Sequence, residues 1–75
     1  MHADKVLRSI IERNNTTIAN AARQLGKSDS YFSGIFSRGS IPKTDTYAGI
    51  LDTFGYDLIA RDRDDGFEFL IDPPK

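Results

Sequence analysis

Thr17–Gly39, TIANAARQLGKSDSYFSGIFSRG, carries two short helical patterns on either side of a glycine. Thr17 is a good N-cap, because its hydroxyl can accept from a free backbone N–H of a first turn. Ile18, Ala21, Ala22 and Leu25 then recur at helical spacing, which predicts a helix of about two and a half turns. Gly26 stops that pattern, since the left-handed conformation that ends a helix is least costly without a Cβ. Ser28 offers a second N-cap, and Phe32, Ile35 and Phe36 give one apolar stripe to a second helix, expected over residues 28–38. Arg38 and Gly39 close it. Two helices joined by so few residues cannot lie antiparallel; they must cross steeply with a small residue where they approach, and Ala22 fits that need.

The flanking segments read as support for this pair. Ala3 to Arg13 forms an apolar face from Val6, Leu7, Ile10 and Ile11, with Arg8 and Arg13 off it, either solvated or near a partner's backbone. Asn14 and Asn15 end that helix by competing for its backbone groups. GSIPK, residues 39–43, is a loop, because Pro42 pushes Ile41 towards an extended conformation. A further helix runs from about Thr44 to Thr53 with Tyr47, Ile50, Leu51 and Phe54 on one face, and Gly55 stops it. From Asp57 the period changes. LIARDR and FEFLI suit strands and DDG supplies turn chemistry, so residues 57–75 are expected to hold a β-hairpin. A two-residue turn at Asp64 and Asp65 would pair Leu58 with Ile71, Ile59 with Leu70, Ala60 with Phe69 and Arg61 with Glu68. A three-residue loop ending in a bulge at Gly66 would shift every pair by one. In the first register one face can pack on the helices, while Ile59, Arg61, Glu68 and Leu70 form a second face that a homodimer would cover. The alternative is a hairpin folded back on a monomer.

Seventy-five residues allow one domain near the lower size limit for a self-sufficient core, so self-association is consistent with the length. The fold class is mainly α, four helices with a C-terminal hairpin. Without cysteine there is neither a disulfide framework nor a thiolate metal site, and the lone His2 is a poor ligand or base. No cofactor or metal is expected, and no enzyme, because no nucleophile, base and orienting group can be assembled. No apolar run is long enough to cross a bilayer and residues 1–15 are too charged for a secretory segment, so a cytoplasmic location without membrane contact is expected. The net charge of −1 conceals an uneven distribution. Residues 1–43 carry seven basic side chains against three acidic ones, and residues 44–75 three against eight. The positive lobe can face phosphates while the acidic lobe points away, or both can be ordinary solvated surface.

Thr17, Ala22, Gly26, Ser28 and Phe32 together resemble the helix-turn-helix of the Cro and lambda-repressor family of DNA-binding domains. That pattern has a capping Thr or Ser, an Ala four before a turn Gly, a Ser two after it and an apolar residue four further on. The resemblance runs through Pro42 and TDTYAGILDTFG and covers roughly residues 3–56, a helix-turn-helix domain over 1–56 followed by the hairpin. The family often has Gln after the capping Thr, where this chain has Ile18. Strands replace its usual fifth helix.

The resemblance implies that the second helix of the pair enters the major groove N-terminus first. Its base-facing candidates are Asp29, Ser30, Tyr31 and Gly34. Asp29 either accepts from a cytosine amino group or only complements the positive end of its helix. Tyr31 lies off the apolar stripe, and Gly34 marks a place where bulk is not tolerated. Thr17, Lys27, Ser28, Ser33, Arg38 and Lys43 are the phosphate candidates. The implied function is a transcriptional regulator of phage or prokaryotic type, a repressor that binds a palindromic operator in double-stranded DNA as a homodimer. Alternatives are the antitoxin of a toxin–antitoxin pair, whose partner would be a toxin, and a protein-docking module that uses the acidic hairpin.

Overall fold

The computed structural model describes residues 1–74; Lys75, the end of the expected hairpin segment, lies outside the described residues. Roughly half the chain is helical: α1 (Ala3–Arg13), α2 (Ile18–Gln24), α3 (Tyr31–Arg38) and α4 (Thr44–Thr53) precede an antiparallel hairpin of β1 (Leu58–Arg61) and β2 (Glu68–Ile71). The chain divides into two compact units, Met1–Ile41 and Pro42–Lys75, so α4 falls with the hairpin.

In the first unit α2 packs on α3. Ala21, Ala22 and Phe32 have no solvent exposure, and Leu7, Ile10, Ile11 and Ile35 are also buried. The Phe32 and Phe36 rings stack, and the guanidinium of Arg8 lies 4.6 Å from the Phe36 ring centre, which ties the exposed side of α1 to α3. Arg8 remains exposed, with this ring contact beside its solvated surface. Among the described residues no buried side chain is polar or charged.

Helix ends follow the residues that can adopt a left-handed backbone. After α2, Gly26 takes φ +71°, and the Lys27 N–H donates to the Ala22 carbonyl (3.0 Å) while the Gly26 N–H donates to that of Arg23 (2.9 Å). These bonds satisfy carbonyls that the helix leaves open and turn the chain towards α3. Asn15 does the same after α1 with φ +53°, and the Asn14 side chain donates to the Ile10 carbonyl (2.7 Å). At the other end of α2 the Thr17 hydroxyl accepts from the Asn20 N–H (3.1 Å). The helix itself is seven residues, shorter than its apolar spacing suggests, because Leu25 already leaves the helical ladder as C-cap.

Helix α3 begins later than expected. Its N-cap is Ser30, not Ser28, and the helix runs from Tyr31 instead of filling 28–38. Ser28 instead closes a turn, its carbonyl accepting from the Tyr31 N–H (3.0 Å) while its hydroxyl lies 3.4 Å from that of Ser30. Ser28, Asp29 and Ser30 can all bond nearby backbone, so residue type alone does not separate them as starting points.

In the second unit Tyr47, Ala48, Ile50 and Leu51 are buried, and Gly49 gives room to Pro74, which would lie 3.5 Å from a Cβ placed there. The hairpin takes the first of the two registers, Ile59 opposite Leu70 and Arg61 opposite Glu68, but not through a two-residue turn. Asp62 and Phe67 close the loop (Asp62 N–H to Phe67 carbonyl, 2.7 Å), and the Gly66 N–H, with φ +79°, donates to the Asp62 carbonyl (2.9 Å). The Asp62 and Asp65 carboxylates accept from the Asp64 and Phe67 N–H groups (2.8 and 2.9 Å), which stabilises a wider loop of equal parity.

Packing covers less of the hairpin than expected. Leu58 and Ile71 are half-buried, whereas on their face Phe67 and Phe69 remain 59% and 64% exposed, with rings edge to face. On the other face Ile59 and Leu70 are 41% and 54% exposed.

Truncating Phe32 to Ala should cost about 3–5 kcal/mol, a large share of what a domain this size holds. Gly26→Ala should cost about 1–2 kcal/mol, from the left-handed backbone alone. Urea unfolding of both variants checks the order, and equal costs would contradict it.

Candidate functional site

The polar residues singled out from the sequence converge on the turn between α2 and α3 and on the exposed side of α3. Asp29 and Ser30 are exposed, Tyr31 and Gly34 are half-buried, and Thr17, Lys27, Ser28, Ser33 and Arg38 are exposed. Lys43, also exposed, belongs to the second unit, where it precedes α4 as N-cap without a side-chain capping bond.

Several of these groups already have internal partners. Tyr31 is not a free aromatic: its ring meets Phe32 edge to face at 5.3 Å, and the Lys27 ammonium lies 5.6 Å from its centre. This places a cation over the ring and leaves the phenolic hydroxyl as its polar end. The Ser33 hydroxyl donates to the Ser30 carbonyl (3.1 Å), so its one proton is engaged and its remaining capacity is to accept, which suits a phosphate poorly. Thr17 accepts from Asn20 and keeps its own hydroxyl proton for an acceptor outside the chain.

Gly34 and Arg38 act together. A Cβ at Gly34 would lie 3.1 Å from Nη1 of Arg38, so the guanidinium folds back one turn along α3 over the space that the glycine leaves. The bulk excluded at Gly34 is therefore first of all the room taken by Arg38.

Asp29 meets a partner that its position in the sequence does not announce. Its carboxylate accepts two hydrogen bonds from Arg23 of α2, Nε to Oδ1 at 2.9 Å and Nη2 to Oδ2 at 3.2 Å, while Nη1 of the same guanidinium donates to the Asn20 side-chain oxygen at 2.9 Å. Asp29 precedes α3, so it neither caps that helix nor sits in its first turn. The Arg23 hydrogen bond, and then its charge, hold the Asp29 carboxyl below the usual carboxylate range. The contact spans the turn with a charge-assisted fork, although solvent screens it. Opposite charges six residues apart across a helix-ending glycine are the sequence signal that could have revealed it.

No protein-family model, curated protein or solved structure matches this chain. The functional reading rests on its own residues.

Because Asp29 titrates lower in the folded chain than in the unfolded one, its contribution is complete above the ordinary carboxylate pKa. It is lost as pH falls through the folded-state value. Carboxyl NMR titration should show Asp29 below an unperturbed aspartate, and Arg23→Gln should return it upward. An unchanged Asp29 titration in the variant would contradict the pairing.

Proposed function

We propose that this chain is a sequence-specific double-stranded DNA-binding regulator, with the exposed side of α3 and the turn before it as the recognition surface. The observation that carries this reading is the solvent-open polar edge Ser28–Asp29–Ser30, fixed on a tightly closed α2–α3 pair and flanked by Lys27 and Arg38. A helix pair that buries Ala21, Ala22 and Phe32 supplies rigidity, and the remaining polar groups match what a duplex presents, phosphates at the rim and base edges in the groove. The resemblance to Cro and lambda-repressor domains supports the same assignment. Thr17, Lys27 and Arg38 serve as phosphate donors, and Ser30 and Tyr31 lead into the groove. Repression would follow from occupying an operator that polymerase must reach.

Two half-sites are needed because Ser30 and Tyr31 discriminate modestly. The hairpin face of Ile59, Leu70, Arg61 and Glu68 suits a homodimer: two apolar residues stand beside one positive and one negative side chain directly opposite each other. Under a two-fold axis Arg61 of each copy can meet Glu68 of the other, so the patch is self-complementary. The resemblance to Cro and lambda-repressor domains, not the hairpin, implies half-sites one helical turn, about 34 Å, apart.

A second reading has one observation of its own. Phe67 and Phe69, exposed beside an aspartate-rich loop, suit a basic protein partner and favour a docking module.

Salt separates the two. Two cations per copy, Lys27 and Arg38, should make dimer affinity for duplex DNA fall on the order of 10²-fold between about 50 and 200 mM salt. Arg38→Ala should weaken all duplexes alike and reduce the salt slope by about 1 per contact. Absence of duplex binding at low salt would leave the docking module. Leu70→Asp should convert a dimer to monomer in sedimentation, whereas Phe69→Ser should not; the reverse would assign self-association to the aromatic face.

A further inference from the structure

From sequence Arg23 counts only towards the positive charge of residues 1–43, and the chain has no obvious arginine–guanine reader near the start of α3. In the fold its guanidinium reaches across the turn to lie against Asp29. Three of the five N–H groups of an arginine are committed here, two to Asp29 and one to Asn20. That leaves one N–H on each terminal nitrogen, on a side chain that remains mostly exposed. The anchors lie on both sides of Gly26, Asn20 in α2 and Asp29 ahead of α3, so the planar group is held before any ligand arrives. A free arginine loses rotamer freedom on binding; this one has lost much of it already. The pairing also changes what Asp29 presents: a lone carboxylate would repel a duplex, whereas the pair is neutral and leads with donors.

We propose that Arg23 is a specificity-determining residue that donates its two remaining N–H groups to O6 and N7 of a guanine in the major groove, with Asp29 and Asn20 as positioning residues that aim it. This rests on the DNA-binding reading above and replaces cytosine recognition by Asp29. Two donors on one rigid plane match the two acceptors on the guanine edge, a pairing that lysine cannot reproduce.

The test uses the intact chain and the best duplex from a selection, with each base pair changed in turn and a non-specific duplex as control, at one salt concentration. Arg23→Ala and Arg23→Lys should each lower affinity for the selected site about 10- to 100-fold and flatten the preference at one G·C pair. Non-specific binding should stay nearly unchanged in Arg23→Lys, which keeps a cation beside Asp29, and fall only slightly in Arg23→Ala, which leaves that carboxylate unneutralised. Asp29→Asn should weaken preference at that same pair and no other, because the aim of Arg23 is lost, while the removed negative charge strengthens binding to all duplexes alike. Circular dichroism serves as the folding control, since both side chains are exposed. Equal loss on every duplex with a shallower salt slope would make Arg23 a phosphate contact and overturn the proposal. So would a preference for cytosine-containing positions that Asp29→Asn abolishes and Arg23→Ala preserves. Variants that read the site as the parent does would overturn it while leaving DNA binding intact; failure of the parent chain to bind any duplex would remove the DNA-binding reading and this inference with it.

Discussion

The left-handed closure at Gly26 is the constraint on which the first unit depends. It lets α2 finish with its carbonyls satisfied by the Gly26 and Lys27 N–H groups, and it reverses the chain soon enough for α3 to pack on α2. Only then can Ala21, Ala22 and Phe32 all leave water. Burying a phenylalanine side chain is worth about 1.5–3 kcal/mol, so a turn that failed to bring α3 back would forfeit the largest single apolar contribution in this unit. The polar edge at Ser28–Ser30 is a by-product of the same geometry, since residues that close the turn cannot also be inside.

Charge is used differently in the two units. Among the first 41 residues six basic side chains outnumber three acidic ones, and Asp29, one of the three, is taken up by Arg23. In the second unit the acidic excess is partly structural: Asp62 and Asp65 accept backbone N–H groups and shape the hairpin loop. An aspartate-rich run that reads as a repulsive surface therefore also serves as turn chemistry. The two explanations are compatible, because each carboxylate has more acceptor capacity than one N–H consumes.

Much of this was legible from residue types with a strong local preference. Asn15, Gly26 and Gly55 end helices where they were expected to, and Thr17 caps α2, because these choices depend on the backbone of a few neighbours. The start of α3 was not legible, because Ser28, Asp29 and Ser30 are equally good local candidates. The hairpin register could be narrowed to two, since Asp64–Asp65–Gly66 tolerates loops of more than one length. Side-chain bonds from Asp62 and Asp65 selected between them, by a loop that neither alternative described. At the site, the polar character of the edge could be read directly. The internal partners of Tyr31 and Ser33 could not, as each depends on which groups the turn brings within a few ångströms, and that of Asp29 was signalled only by the opposite charge of Arg23 across Gly26.

The four residues inside the Asp62–Phe67 closure have a consequence for how this segment tolerates changes of length. Side chains alternate sides along a strand, so the loop acts as a parity check on the whole hairpin. Gain or loss of one residue there, if β2 took it up by sliding, would exchange Phe69 for Leu70 and Glu68 for Phe67 across the ribbon, scrambling the paired Arg61 and Glu68. Two residues would restore the original sides. Where the strand slides, changes of even length thus keep each side chain on its own face and changes of odd length do not, whereas a residue taken up within the loop leaves both faces as they are.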